Sequence, residues 1–125
     1  MQDVKKKVSD ADMLNMNRKR YIYVCAPYRG DPIQLIENIK KTRKRCRDII
    51  AEGHIPVAPQ LYCPQFLDEQ NPDERELGLG IGLQALKYCD EIRVYGDTIT
   101  EGMKGEIELA RTFIGCKIVY VKEDD

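Results

Sequence analysis

The chain has 125 residues and a formal net charge of −1, from 20 basic and 21 acidic side chains. This length predicts one domain with its own core and is short for a dinucleotide-binding enzyme with a separate substrate domain. The balanced charge provides no general attraction to nucleic acids or membrane phosphates, so neither is expected as a partner. Without an apolar run of membrane-spanning length or a signal-peptide core, a cytoplasmic protein is expected.

Both ends of the chain are polar. Residues 1–20 carry many charges and few apolar side chains and are interpreted as a mobile N-terminal arm. The folded domain is expected over residues 21–121, followed by an acidic tail at 122–125. The five cysteines include no C-x-x-C pair and the only histidine is His54, so we expect no disulfide framework, no metal site and no cofactor.

The first strand is predicted at 21–26, a continuous run of β-forming residues typical of a strand buried on both faces of a parallel sheet. It ends in Pro27-Tyr28-Arg29-Gly30, where Arg29 and the backbone of Gly30 suit a phosphate or carboxylate. Asp31 and Pro32 then begin a helix that ends near Glu52. Its segment 40–47 is expected to face solvent, and its buried stripe to comprise Ile36, Ile39, Cys46, Ile49 and Ile50.

The second strand, 55–58, contains a proline and is predicted to be short and near an edge of the sheet. The loop 59–66 is apolar and aromatic, as are loops that close over a ligand or another subunit. The next helix, 73–88, is apolar almost all round and carries three glycines, which indicates close backbone approach or space for a bulky group. We therefore predict a homo-oligomer formed through this helix and this loop.

The third strand, near 90–95, leads through a turn at Gly96 and Asp97 into a helix with Thr100 as N-cap. Glu106 lies one turn into that helix on its inward face, where an idle carboxylate would cost desolvation energy. This corner is expected at the carboxyl ends of the strands, where ligands bind. With a last strand at 117–121, the order predicts a three-layer α/β sandwich, Rossmann-like, with a four- to five-stranded parallel sheet.

Four segments together carry a resemblance to a known family: 21–30, 53–59, 89–90 and 96–107. They read YIYVCAPYRG, GHIPVAP, CD and GDTITEGMKGEI. In order and spacing they resemble the nucleoside 2-deoxyribosyltransferase-like superfamily, and more closely a branch common in bacteriophage and Firmicute genomes. The resemblance covers about residues 21 to 121 and implies the same fold.

The resemblance also implies roles for individual residues. Members of the superfamily use the glutamate of a Ser-x-Gly-x-x-x-Glu motif as nucleophile on the sugar C1′, and Thr100, Gly102 and Glu106 occupy these positions. The Arg-Gly pair that contacts phosphate in the 5′-monophosphate glycosidases corresponds to Arg29 and Gly30. Besides these, the candidate ligand-binding residues are Ala26, Pro27, Tyr28, Gln60, Tyr62, Gly96, Asp97 and Met103.

One family position departs from the pattern, because the second carboxylate, which assists the leaving base, is replaced by Gly82. Cleaving an N-glycosidic bond usually requires proton delivery to the base, and Asp68, Asp73 and Glu76 are the alternative donors that the sequence offers. Either the chain binds a nucleotide-like molecule without efficient turnover, as a phage protein sequestering a nucleotide immune signal in the host cytoplasm would, or it is an N-glycosidase or deoxyribosyltransferase. In a purely structural subunit, Glu106 would cap a loop or pair with Arg29.

Overall fold

The computed structural model describes residues 19–113 and 115–123, so most of the predicted N-terminal arm and the end of the acidic tail lie outside the described residues. Four strands form one parallel sheet, which confirms the predicted fold class at the lower end of the expected strand number. The strands are β1 (Tyr21–Cys25), β2 (Ile55–Val57), β3 (Glu91–Tyr95) and β4 (Lys117–Val121), in the spatial order β2-β1-β3-β4. The helices are α1 (Pro32–Ala51), α2 (Pro72–Leu86) and α3 (Glu101–Arg111), with short 3-10 turns at Pro59–Leu61 and Cys63–Gln65.

The central strand β1 is buried on both faces, as its continuous apolar run predicts. Ile22 and Val24 point to one side, where they pack with Ile49 of α1. Tyr23 and Cys25 point to the other side and join the cluster formed by α2 and α3. Because successive side chains alternate across a strand, this single strand connects the two hydrophobic layers of the domain.

The second strand is short and lies at an edge of the sheet, as predicted. It pairs with β1 alone, in the register Ile22 to Pro56. A proline has no N–H to donate to the sheet, and an edge strand tolerates that loss.

The first helix begins and ends where the sequence indicates. The side chain of Asp31 accepts a hydrogen bond from the backbone N–H of Gln34 at 2.8 Å, and Pro32 takes the first helical position. The helix ends at Ala51 with Glu52 as its C-cap, and Gly53 follows with φ of 93°, a left-handed conformation that favours glycine.

The buried stripe predicted for α1 is wrong in part. Ile36 and Ile50 are 55% and 46% exposed, and the buried positions are Asn38, Thr42, Arg45 and Ile49. The predicted solvent face 40–47 therefore contains two buried side chains. The reason is tertiary, because Arg45 forms two hydrogen bonds to Glu123, at 2.6 and 3.0 Å, and lies 4.7 Å from the ring centre of Tyr95.

Two further properties bear on function. None of the helices in the described chain is long and apolar enough to cross a membrane. Over the same residues, no cluster of three His, Cys, Asp or Glu side chains is arranged to hold a metal ion.

Candidate functional site

A cleft of about 610 Å³ lies at the carboxyl ends of the strands, between α2 and the beginning of α3. This is the edge of a parallel α/β sheet at which ligands are bound. Of the candidate site residues, the cleft brings together Ala26, Tyr28, Arg29, Gln60, Thr100, Gly102, Met103 and Glu106. Pro27, Gly30, Tyr62, Gly96 and Asp97 are not among the residues that line it.

Two of the glycines outside the cleft have local structural reasons. A Cβ atom at Gly30 would lie 2.5 Å from Cγ of Gln34, so this glycine permits the close approach of α1. Gly96 has φ of 94° and terminates β3 beside Pro27. Tyr62 is exposed, with its ring centre 6.5 Å from that of Phe66.

The beginning of α3 is built as the sequence predicts. Thr100 is the N-cap, and its hydroxyl accepts a hydrogen bond from the backbone N–H of Met103 at 3.3 Å. Met103 and Ile107 are buried against the sheet. Since these two side chains determine which face of the helix points inward, Glu106 is turned toward the floor of the cleft.

Glu106 is held by a residue of the central strand. The Tyr23 hydroxyl donates a hydrogen bond to Oε2 of Glu106. Burial raises the pKa of the Glu106 carboxyl to about 7, although the hydrogen bonds from Tyr23 and Cys25 act in the opposite direction. The same burial, together with the neighbouring carboxylate, raises the pKa of the Tyr23 phenol, so the phenol is the proton donor of the pair at neutral pH.

Gly82 of α2 faces this pair directly. A Cβ atom at position 82 would lie 2.9 Å from the Tyr23 hydroxyl and 4.0 Å from Oε2 of Glu106. Position 82, where the resemblance implies a second carboxylate, is therefore next to Glu106 in space, and in this chain it carries no side chain. The Tyr23 hydroxyl occupies part of the volume that a side chain there would need.

The three acids considered as replacements do not line the cleft. Asp73 and Glu76 lie along the outer face of α2, away from Glu106. Asp68 is exposed and accepts a hydrogen bond from the backbone of Gln70. The acids that line the cleft besides Glu106 are Glu69 and Glu101, and Glu101 pairs with Lys104 at 3.1 Å.

The mouth of the cleft carries two arginines from different elements, Arg29 and Arg75. Within the described residues neither guanidinium forms an ion pair with a carboxylate. Tyr28 stands near them, and burial raises the pKa of its phenol, with the charge of Glu69 adding to the effect and that of Arg29 opposing it. An anionic group of a ligand would find unpaired guanidinium donors here.

Sequence reasoning missed several lining residues, among them Tyr23, Glu69 and Arg75. For Arg75 the sequence does hold a signal, because positions 75, 78, 79, 82 and 83 share one face of α2 by 3 and 4 spacing, and this is the face that lines the cleft. Tyr23 gave no such signal. A strand that is apolar on both faces does not reveal which side chain reaches a site.

The fold is similar to that of a known enzyme. The chain aligns with a solved structure of a 2-deoxyribosyltransferase from the psychrotolerant bacterium Bacillus psychrosaccharolyticus, with a TM-score of 0.56 and 14% sequence identity, over 84% of this chain and 75% of that one. A likeness at this identity establishes a shared fold and leaves the activity open. A comparison with curated proteins found no match. A family model matches residues 20–121, and the chain therefore belongs to the family described as a domain of unknown function, DUF7768.

Proposed function

We propose that this protein binds a nucleotide-like small molecule, a nucleoside phosphate or a compound of the ADP-ribose type, without efficient turnover. The observation that carries the proposal is Gly82, because the position beside Glu106 that would hold the proton donor for a departing base has no side chain. General acid–base help is typically worth about 10²–10⁴ in rate, so its loss disables cleavage while the cleft remains.

The remaining features of the cleft suit binding. Arg29 and Arg75 supply charged donors for phosphate at the mouth, and Tyr28 presents an aromatic ring beside them. With a pKa of about 7, Glu106 offers both donor and acceptor character to sugar hydroxyls near neutral pH. A cytoplasmic protein of this kind would act by sequestering its ligand, and a phage protein that removes a nucleotide immune signal is the setting we propose.

The alternative function is an N-glycosidase or deoxyribosyltransferase with Glu106 as nucleophile. It is favoured by the position of Glu106 in the cleft floor, where Tyr23 holds the carboxylate, and by the shared fold with a 2-deoxyribosyltransferase. In that case another group, such as Glu69 or a bound water, would have to protonate the base.

Calorimetry with adenosine, AMP and ADP-ribose, combined with chromatography for free adenine, distinguishes the two functions. We expect AMP or ADP-ribose to bind and no adenine to appear. The Arg29→Ala variant is expected to lose at least about 2 kcal/mol of affinity for the phosphate-bearing probes, because a charge-assisted contact is removed. Arg43→Ala, an exposed arginine of α1 outside the cleft, is the matched control and should bind as the wild type does.

Each contrary result has a definite meaning. Adenine release that rises with protein concentration and disappears in Glu106→Ala would establish the enzyme, since a nucleophile acts mainly in the transition state. Failure of all three probes to bind would refute a nucleotide-like ligand of the adenine series. Equal losses for adenosine and AMP in Arg29→Ala would mean that Arg29 supports the cleft and does not contact phosphate.

A further inference from the structure

Helix α2 contains three glycines at alternate positions, and the described structure gives a steric reason for one of them. Gly82 makes room for the Tyr23 hydroxyl, whereas a Cβ atom at Gly78 would make an ordinary van der Waals contact with Leu67 at 3.5 Å. Around Gly80, no atom of the described residues lies within 4 Å of where a Cβ would be. A glycine in a helix interior costs about 1 kcal/mol relative to alanine. Gly105 of α3 is equally open, and what distinguishes Gly80 is the pair of exposed aliphatic side chains beside it.

Gly80 lies in an apolar stripe on the outer face of α2. Leu77 and Ile81 flank it and are 60% and 44% exposed, so two large aliphatic side chains lie next to each other at the surface. Three polar side chains, Asp73, Glu76 and Gln84, lie on the same face toward the two ends of the helix. The face is separate from the one that lines the cleft.

We propose that a second copy of this chain covers the stripe, with the two α2 helices packed antiparallel and crossing at Gly80. Gly80 is close to the middle of the 15-residue helix, so a two-fold axis there pairs nearly its whole length. The missing side chain lets the two backbones approach closely. Leu77 and Ile81 then lie on either side of the crossing and bury their exposed surface.

The charged residues at the two ends of α2 favour an antiparallel over a parallel pair of helices. Asp73 lies seven residues before Gly80 and Lys87 seven residues after it, a spacing of about two turns in each direction along the same face. In the antiparallel pair, Asp73 of one copy faces Lys87 of the other, and the contact occurs twice. A parallel pair would instead place Asp73 against Asp73, which opposes association.

Sedimentation equilibrium of the wild type and of stripe variants tests the interface. We expect a dimer whose dissociation constant rises at least about tenfold, equivalent to 1.4 kcal/mol, in Leu77→Glu and in Ile81→Glu. Both side chains are already exposed, so the fold should persist, as circular dichroism would show. Ile33→Glu places the same charge on an exposed isoleucine of α1 and should leave the dissociation constant unchanged.

A charge exchange tests the antiparallel register. Asp73→Lys and Lys87→Asp should each weaken the dimer, because each creates two like-charge contacts, and the double variant should restore it. A wild-type monomer at high micromolar concentration, or a dimer indifferent to Leu77→Glu and Ile81→Glu, would overturn the interface. Failure of the double variant to recover would overturn the register. These measurements use no ligand and are independent of the proposed function.

Discussion

At the scale of single residues, Glu106 concentrates the chemistry of this domain. The carboxyl group is turned inward by the burial of Met103 and Ile107, and its partner Tyr23 comes from the central strand, 83 residues away in sequence. Burial disfavours the ionised form and raises the pKa of the carboxyl to about 7. Ionisation of Glu106 therefore lowers the free energy of unfolding.

The raised pKa of Glu106 predicts that the effect of Glu106→Gln on the free energy of unfolding depends on pH. The ordinary pKa of 4.5 applies in the unfolded chain, so between pH 4.5 and about 7 the folded protein holds a proton that the unfolded chain releases. The contribution of Glu106 to the free energy of unfolding thus falls as pH rises through this window and is constant above it. Glutamine keeps the acceptor for Tyr23 and does not titrate.

We therefore expect Glu106→Gln to be stabilised relative to wild type, with a larger difference well above pH 7 than at pH 4.5. Urea unfolding of both proteins at the two pH values measures this difference in the free energy of unfolding. Glu108→Gln on the exposed face of α3 is the control and should show little such difference. An advantage of Glu106→Gln that is independent of pH would show that burial does not shift this carboxyl.

At the scale of elements, the contact of α2 with β1 depends on a glycine. The Cβ of an alanine at position 82 would lie 2.9 Å from the Tyr23 hydroxyl, and the Tyr23 side chain is held by its burial and by its hydrogen bond to Glu106. Alanine gains about 1 kcal/mol in helix propensity. Overpacking costs about 1–3 kcal/mol and should exceed that gain.

Gly82→Ala is accordingly predicted to lower the free energy of unfolding and to break the hydrogen bond between Tyr23 and Glu106. Gly105→Ala is the matched control, because that position lies in α3 with no atom of the described residues within 4 Å, and it should be stabilising. Chemical denaturation compares the two variants. If both glycines respond alike, the close approach of Tyr23 to α2 is not a constraint. The Gly82→Asp substitution, which would supply the missing acid, has to displace Tyr23 first.

The end of the chain is held to α1 by a buried charge. Arg45 is 6% exposed and forms a two-point contact with Glu123, just after β4. Glu123→Gln would leave the guanidinium without its counter-charge, and since the glutamate side is partly exposed we expect a loss of about 1–3 kcal/mol in unfolding free energy. Asp48→Asn breaks the exposed pair with Lys44 and should cost less than about 0.5 kcal/mol. Equal effects in the two variants, measured by urea unfolding, would contradict this role for Arg45.

At the scale of the whole molecule, the described residues form a complete three-layer unit. The sheet is covered by α1 on one side and by α2 and α3 on the other, and both hydrophobic clusters are made from residues 22–121. The family model spans nearly the same part of the chain, residues 20–121. The domain boundary expected at residue 21 stays a prediction, and we propose that this unit folds alone.

A chain containing residues 19–123 tests this proposal. It retains the contacts of Lys19 with Gly53 and of Arg45 with Glu123, so we expect one cooperative unfolding transition at the temperature of the full chain. Ligand affinity should also be unchanged, because every lining residue of the cleft is present. A lower transition temperature would mean that residues 1–18 pack on the domain.

Much of the fold was predictable because it depends on local chemistry. The caps at Asp31 and Thr100 come from side chains that bond to backbone groups three residues away. The short edge strand follows from Pro56, and the parallel sheet follows from the alternation of strands and helices and the right-handed crossover rule. The contribution of the loop 59–66 to an oligomer stays a prediction.

The site depended on the tertiary structure, because its contacts join residues far apart in the chain. The sequence by itself determined that Glu106 faces inward, since helical spacing requires it. Only the packing of α2 and α3 on β1 brought Tyr23, Gly82 and Glu106 together. Only the packing of α1 against Tyr95 and Glu123 buried Arg45. Hydrophobic periodicity in the sequence identifies the apolar face of a helix or strand. A polar residue whose hydrogen-bond partner lies in another element has no such periodic signal. Its burial depends on how the layers pack, because that packing supplies the partner.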